Sequence, residues 1–138
     1  MKENRVVLDT NLWISFLISR KYSEIMELIN SSVIKLVFSI ELLEEFIDVV
    51  QRPKFEKYFS DDDIKKLIGL FDLFGEMINV SSKVEICRDK NDDFLLNLCI
   101  DGKVDYLVTG DKDLLIIKDI ENTKILTYNE FLKVVNNQ

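Results

Sequence analysis

Two acidic side chains of this chain follow stretches that have the composition of buried β-strands. Asp9 comes directly after the apolar run 6–8, and Asp111 follows the run 106–109 with one glycine between them. If both runs belong to one parallel sheet, both acids lie at its carboxyl-terminal edge, where open α/β sheets form their sites. A carboxylate there must be paired, hydrogen-bonded or bound to a metal. We therefore expect a site at this edge, although either acid alone also fits a helix cap or a turn.

A predicted helix over residues 40–50 supplies a third acid. When this helix is projected at about 100° per residue, its apolar residues form one arc, and Glu45 lies beside that arc next to Val49. The other acids of the helix point away from the arc and are expected to face solvent: Glu41, Glu44 and Asp48. Glu45 is the acid best placed to turn inward, although a solvated position fits it as well.

A predicted helix over residues 92–101 supplies a fourth acid. The same projection directs Asp92 toward the buried side of this helix. Asp93 falls on a polar face together with Asn97 and Asp101, and we expect this face to meet solvent. Because Asp92 also lies in the first turn, where the helix dipole favours a carboxylate, a purely capping role stays open.

We expect Asp9, Glu45, Asp92 and Asp111 to converge on one pocket, with Asp113 as a fifth candidate. Four carboxylates do not share a pocket without a counter-charge, because like charges raise their pKa values. Mg²⁺ or Mn²⁺ supplies that charge and prefers oxygen ligands, and the absence of histidine agrees with such a site. Bound to carboxylates, these ions activate water and stabilise the leaving oxygen of a phosphodiester. The residues predict hydrolysis without a protein nucleophile.

The elements that must position these acids alternate between strands and helices. Strands are predicted at 5–8, 35–38, 78–80, 106–109 and 124–126. Helices are predicted at 12–18, 23–30, 40–50, 60–74 and 92–101, and after the capping box at 127–130. This alternation indicates an α/β protein, a three-layer α/β/α sandwich with a mostly parallel central sheet.

The composition fits one domain spanning residues 1–138. Apolar residues make up 47 % of the chain, and no apolar run approaches the roughly 20 residues that a membrane span requires. We expect Cys87 and Cys99 to be buried, reduced thiols of a cytoplasmic protein. The net charge of −7 argues against a protein that holds nucleic acid mainly by charge; a metal site, a basic partner or plain solubility each explain it.

Four segments resemble, in order, the motifs of PIN-domain nucleases. They are residues 6–11, 39–46 with 52–55, 88–95, and 105–115, of which the last is the most specific. The similarity runs from about Val6 to Phe131, and its order and spacing are similar to those of VapC-like ribonucleases, the toxin components of toxin–antitoxin pairs. One departure is Lys90, which stands where this subgroup often has proline.

The resemblance implies a PIN fold and an endoribonuclease that depends on Mg²⁺ or Mn²⁺. It assigns metal binding to the four acids that the strand ends and the helical projections select, with Glu45 as a ligand or as the group that orients the attacking water. Asn11 and Thr109 match supporting polar positions, and Asp113 is a further candidate ligand. Lys112 is the nearest cation for a phosphate contact.

The expected partners are an RNA substrate, a protein antitoxin and a second copy of the chain, with no membrane. The homodimer is motivated in part by apolar residues on the first two helices, which exceed what one small face requires. These residues include Trp13, Phe16, Leu17 and Met26, for which a place in the core fits equally well. An exposed patch of this kind marks an interface.

Two other functions fit the sequence less well. A catalytically quiet PIN-like module that binds proteins suits the acidic surface, but it has no need of four acids together. A phosphotransfer or phosphatase domain needs a second acid beside Asp9, where Thr10 and Asn11 stand. A second basic cluster, formed by Arg52, Lys54 and Lys57, is interpreted as solvated surface.

Overall fold

A computed structural model describes residues 3–19, 21–86 and 92–137. Its strands are β1 (Asn4–Leu8), β2 (Ile34–Phe38), β3 (Gly75–Met77), β4 (Tyr106–Val108), β5 (Asp119–Ile120) and β6 (Thr123–Leu126). Its helices are α1 (Thr10–Ile18), α2 (Lys21–Asn30), α3 (Ile40–Val50), α4 (Asp61–Phe74), α5 (Asp93–Asp101), α6 (Lys112–Leu115) and α7 (Tyr128–Asn136). A short 3₁₀ turn, Pro53–Phe55, lies between α3 and α4.

The six strands form one sheet in the order β3-β2-β1-β4-β6-β5. All neighbours are parallel except β5, which pairs antiparallel with β6. Val6 and Val7 point to opposite faces of β1, and both are fully buried, so the sheet is covered on both sides. The predicted α/β class with a mostly parallel central sheet is confirmed.

Trp13 and Phe16 belong to the hydrophobic core rather than to an exposed patch. They are 3 % and 2 % exposed, and Trp13 packs edge-on against Phe71 while Phe16 lies 4.6 Å from the ring of Tyr128. Leu17 and Met26 are partly buried against the same core. The apolar excess on α1 and α2 is therefore mostly core packing, which removes that motivation for a dimer.

The polar face of α5 does not meet solvent as predicted. It accepts backbone hydrogen bonds from segment 81–86: Ser81 and Ser82 to Asp101, Val84 to Asn97, and Ile86 to Asp93. Asp93 is consequently only 7 % exposed. The expectation was wrong because, among the described residues, no strand pairs with segment 81–86, so its N–H groups take their acceptors from helix side chains.

Several boundaries differ from those predicted. α1 begins earlier, at Thr10, and α5 begins at Asp93, so that Asp92 is its N-cap. The third strand lies at Gly75–Met77 rather than at 78–80, while α6 and β5 were not predicted. Cys99 is buried as expected, and burial raises the pKa of its thiol. Cys87 and Lys90 lie outside the described residues.

Across the described ranges, no helix combines the length and the apolar character that crossing a lipid bilayer demands.

The close approach at Gly75 predicts opposite effects of two alanine substitutions. A Cβ at Gly75 would lie 2.6 Å from both the Phe38 ring and the Phe71 carbonyl oxygen, whereas one at Gly69, inside α4, would meet no atom within 4 Å. We expect Gly75→Ala to lower the free energy of unfolding by about 1–3 kcal/mol through overpacking. Gly69→Ala should raise it by about 0.5–1 kcal/mol, because alanine favours the helix. Chemical denaturation measures both, and an equal effect of the two substitutions contradicts this packing.

Candidate active site

Asp9 is fixed where β1 passes into α1. Its carboxylate accepts a hydrogen bond from the Asn11 backbone N–H at 3.2 Å, and this bond caps the helix. The other carboxylate oxygen accepts the Thr109 hydroxyl at 2.7 Å. The backbone N–H of Asp9 donates to the carbonyl of Val108, which continues the β1–β4 ladder by one residue. The half-buried Asp9 is therefore held from two sides, with its carboxylate at the sheet edge.

Thr109 connects two of the predicted acids. Its hydroxyl donates to Asp9 and accepts the backbone N–H of Asp111 at 3.0 Å. The side chain of Asp111 in turn accepts the N–H of Asp113 at 2.9 Å and caps α6. Thr109 is fully buried, so water does not replace its hydroxyl as the hydrogen-bond partner of Asp9 and of the Asp111 N–H. The ends of β1 and β4 are thus joined through one hydroxyl group.

Glu45 reaches the same edge from α3. The hydroxyl of Thr10 donates to its carboxylate at 2.8 Å, and Thr10 itself is 4 % exposed. Glu45 is an exposed residue of α3, but desolvation of its carboxyl group raises its pKa, and the negative charge of Asp9 raises it further, while the Thr10 bond and the charge of Arg52 lower it. Glu45 and Asp9 are therefore electrostatic neighbours.

Sequence reasoning missed Thr10 because its role depends on the packing of α1 against α3. A polar residue in the first turn of a helix normally faces solvent or caps the helix, and Thr10 does neither. Its position directly after Asp9 was visible in the sequence, but its contact with Glu45, 35 residues away, was not.

An open pocket of about 430 Å³ lies beside Asp9. It is lined by residues from the β1–α1 and β4–α6 junctions: Asp9, Asn11, Leu12, Ser15, Gly110 and Asp111. Three predicted site residues, Asp9, Asn11 and Asp111, thus share one pocket. Leu12 and Ser15 were not singled out from the sequence, because nothing in their spacing distinguishes them from other residues of α1.

The remaining predicted residues do not line this pocket. Asp92 is the half-buried N-cap residue of α5, Asp113 is half-buried in α6, and Lys112 is exposed at the start of α6. Within the ranges that the structure describes, no three carboxylate or thiolate groups lie close enough together to hold one metal ion. The contacts that the structure does show join Asp9 to Thr109 and Thr109 to Asp111.

The chemistry of the donors fits a hard divalent cation. Asp9, Glu45 and Asp111 offer carboxylate oxygens only, and the chain has no histidine. Among the described residues, no donor bonds to the second carboxylate oxygen of Asp111 or of Glu45. These oxygens are available to a cation, and the unfavourable charge of Asp9 on Glu45 is what such a cation would offset.

A sequence model of the PIN domain matches residues 5–113, which include every residue of the candidate site. This chain belongs to the PIN-domain family. It is also 33 % identical over 133 residues to the uncharacterized protein MJ1680 of Methanocaldococcus jannaschii, covering 94 % of this chain and 84 % of that protein. PIN domains are typically metal-dependent nucleases that use Mg²⁺ or Mn²⁺, so the match indicates nuclease activity in general terms.

The two bonds of the Thr109 hydroxyl in this PIN domain predict different effects of valine and serine. Thr109→Val keeps the shape but leaves the Asp111 N–H unpaired, so we expect a loss of about 1–3 kcal/mol in the free energy of unfolding. Thr109→Ser keeps both bonds and loses one methyl group, at about 1 kcal/mol. Amide hydrogen exchange separates the two effects, because only the valine variant should lose protection at Asp111. Equal exchange at Asp111 in both variants contradicts the bridging role.

Proposed function

We propose that this PIN domain is an endoribonuclease that depends on Mg²⁺ or Mn²⁺ and hydrolyses RNA phosphodiester bonds. The observation that carries the proposal is the Thr109 hydroxyl, which joins the Asp9 carboxylate to the backbone of Asp111 at the ends of two parallel strands. Glu45 stands beside Asp9 and is electrostatically coupled to it. Three acids at one sheet edge of a PIN domain support nuclease chemistry better than a structural role.

The proposed roles follow the chemistry of each side chain. The proposed metal ligands are four acids: Asp9, Glu45, Asp92 and Asp111. Asp113 is a further candidate ligand that assists them. Asn11 and Thr109 support the carboxylates, and Lys112 contacts a substrate phosphate. A divalent cation held there supplies Lewis-acid activation of water and of the phosphodiester.

The protein's own contribution is orientation and proton transfer. Asp9 is held by Thr109 and by the α1 backbone, so its carboxylate keeps one orientation without substrate. Glu45 is oriented by Thr10, and its raised pKa makes its carboxylate a better acceptor for a proton of the attacking water. Hydrolysis then needs no nucleophile from the protein.

The proposal predicts cleavage that depends on a metal ion and that is strongly reduced when one carboxylate charge is removed. Purified protein should cleave mixed RNA with Mn²⁺ and lose this activity with EDTA. Asp9→Asn and Asp92→Asn should each lower the cleavage rate by about a hundredfold or more, since both remove a proposed ligand charge. Mn²⁺ should also raise the melting temperature of the native protein, and Asp9→Asn should reduce that rise.

Two variants serve as controls for this series. Glu44→Gln removes an exposed acid of α3 and should leave cleavage within about twofold. Asp93→Ala removes the acceptor of the Ile86 N–H, so it should lower the free energy of unfolding by about 1–3 kcal/mol without removing a proposed metal ligand. Cleavage that persists in EDTA, or that survives in Asp9→Asn, contradicts the proposal.

The competing function is a catalytically quiet PIN-like module that binds a protein. The observation that favours it is the lack of any three metal-ligating groups in contact within the described residues. Titration calorimetry with Mn²⁺ and Mg²⁺ distinguishes the two functions. Binding of about one or two ions per chain, lost in Asp9→Asn, supports the enzyme, and no binding supports the module.

We further propose that the chain is a single cytoplasmic domain over residues 1–138, the VapC-like toxin of a toxin–antitoxin pair, and a homodimer. One core running from Val6 to Val135 and the buried free thiol of Cys99 support the first two assignments. The toxin role, the antitoxin and the dimer rest on the motif resemblance alone.

The assembly proposal predicts a particle larger than one chain. Light scattering after native purification should give the mass of a dimer, or of a complex with a small copurifying protein. A mass of about 16 kDa at high concentration, with no copurifying protein, contradicts both the dimer and the antitoxin complex.

A further inference from the structure

We propose that the turn over residues 52–58, which we call the basic turn, binds the single-stranded RNA substrate beside the catalytic edge. This assignment rests on the proposed ribonuclease function for the identity of the ligand. The observations that carry it are the position of the turn, its charge, and the contacts that hold its lysines.

The basic turn adjoins the candidate site along one face of α3. Glu45 and Asp48 are three residues apart and share one face of α3, and Arg52 follows four residues after Asp48, just beyond the end of the helix. Arg52 contacts Asp48 at 3.4 Å, and its positive charge is felt at the carboxyl group of Glu45. Helix α3 ends at Val50, five residues or about 8 Å of helix beyond Glu45, and the turn begins two residues later.

The charge of the turn is opposite to that of the chain. The turn contains three basic residues, Arg52, Lys54 and Lys57, and one acid, Glu56. The whole chain, by contrast, has a net charge of −7. Pro53, Lys54, Glu56 and Lys57 line a wide, shallow depression of about 680 Å³. A local positive surface next to an acidic catalytic edge attracts the phosphates of a strand whose scissile bond lies at that edge.

The two lysines are held in place by aromatic rings rather than by carboxylates. The ammonium of Lys54 lies 5.0 Å from the centre of the Phe55 ring, and that of Lys57 lies 5.1 Å from the centre of the Tyr58 ring. In the part of the chain that the structure describes, neither ammonium forms an ion pair. Both charges are therefore available to a ligand and need less ordering on binding.

Aromatic surface distinguishes RNA from a generic polyanion. Tyr58 is 46 % exposed, which leaves ring surface for a base, and Phe55 packs against Phe59, which is buried and anchors the turn. Proteins that bind single strands combine backbone charge with aromatic rings on which bases stack. An acidic polypeptide would use the lysines but gain little from the ring.

The test is binding of a fluorescein-labelled single-stranded RNA 12-mer of mixed sequence, in EDTA so that it stays intact. Lys54→Ala/Lys57→Ala should weaken binding about tenfold, and it should reduce the slope of log K against log salt by about 1.4, or 0.7 per phosphate contact. The matched control is Lys118→Ala/Lys124→Ala, which removes two exposed lysines near the opposite edge of the sheet. The control pair should bind nearly as wild type.

Tyr58 supplies the second arm of the test. Tyr58→Ala should weaken binding about fivefold or more with an unchanged salt slope, whereas Tyr58→Phe, which keeps the ring, should bind as wild type. Equal losses in the two lysine pairs overturn the proposal. So does unchanged binding in Tyr58→Ala together with equal displacement of the RNA by polyglutamate, which indicates a site for acidic polypeptides.

Binding and cleavage are read separately in this design. If RNA binding depends on the basic turn but the protein cleaves no RNA with Mn²⁺, the RNA-binding role of the turn is supported and the proposed ribonuclease activity is contradicted. If the wild type cleaves RNA and the Lys54→Ala/Lys57→Ala variant has an unchanged KM, the RNA-binding role of the turn is contradicted and the proposed ribonuclease activity is supported.

Discussion

The parallel pairing of β1 with β4 is the constraint on which the candidate site depends. Its register sets Leu8 opposite Val108, so the next residues, Asp9 and Thr109, leave the sheet side by side. A shift by one residue would turn the Thr109 hydroxyl to the other face of the sheet. Because β1 and β4 are buried and lie at the centre of the sheet, core packing fixes this register. The same packing therefore fixes the relative positions of Asp9 and Thr109.

Local sequence signals predicted most of the elements. Ser39, Ser60 and Thr127 cap α3, α4 and α7 as expected, because each capping bond closes within three residues. The sequence predicts strand β3 three residues too late, because its position depends on parallel pairing with β2, in which Gly75 lies opposite Leu36. Strand β5 has only two residues, too few for any pattern to predict it.

The sequence predicted the common location of Asp9 and Asp111, because chain order alone positions these two residues. Asp9 and Asp111 follow strands of one parallel sheet, so they meet at the same edge whatever the details of packing. Thr10 could not be found in this way, because its bond to Glu45 requires the packing of α1 against α3. The helical projection of α5 failed for a related reason. It treats polar residues as facing solvent, and here a neighbouring backbone takes the place of water.

The failed projection of α5 changes the interpretation of the adjacent acids Asp92 and Asp93. Asp93 accepts the N–H of Ile86, so segment 81–86 and the start of α5 are fastened together at one point. Asp92 is the N-cap residue of α5, directly before that point. A buried carboxylate that accepts a backbone N–H is costly to replace, because the donor is left unpaired. The polar face of α5 is therefore structural, and the bond at Asp93 holds the end of the helix that Asp92 caps.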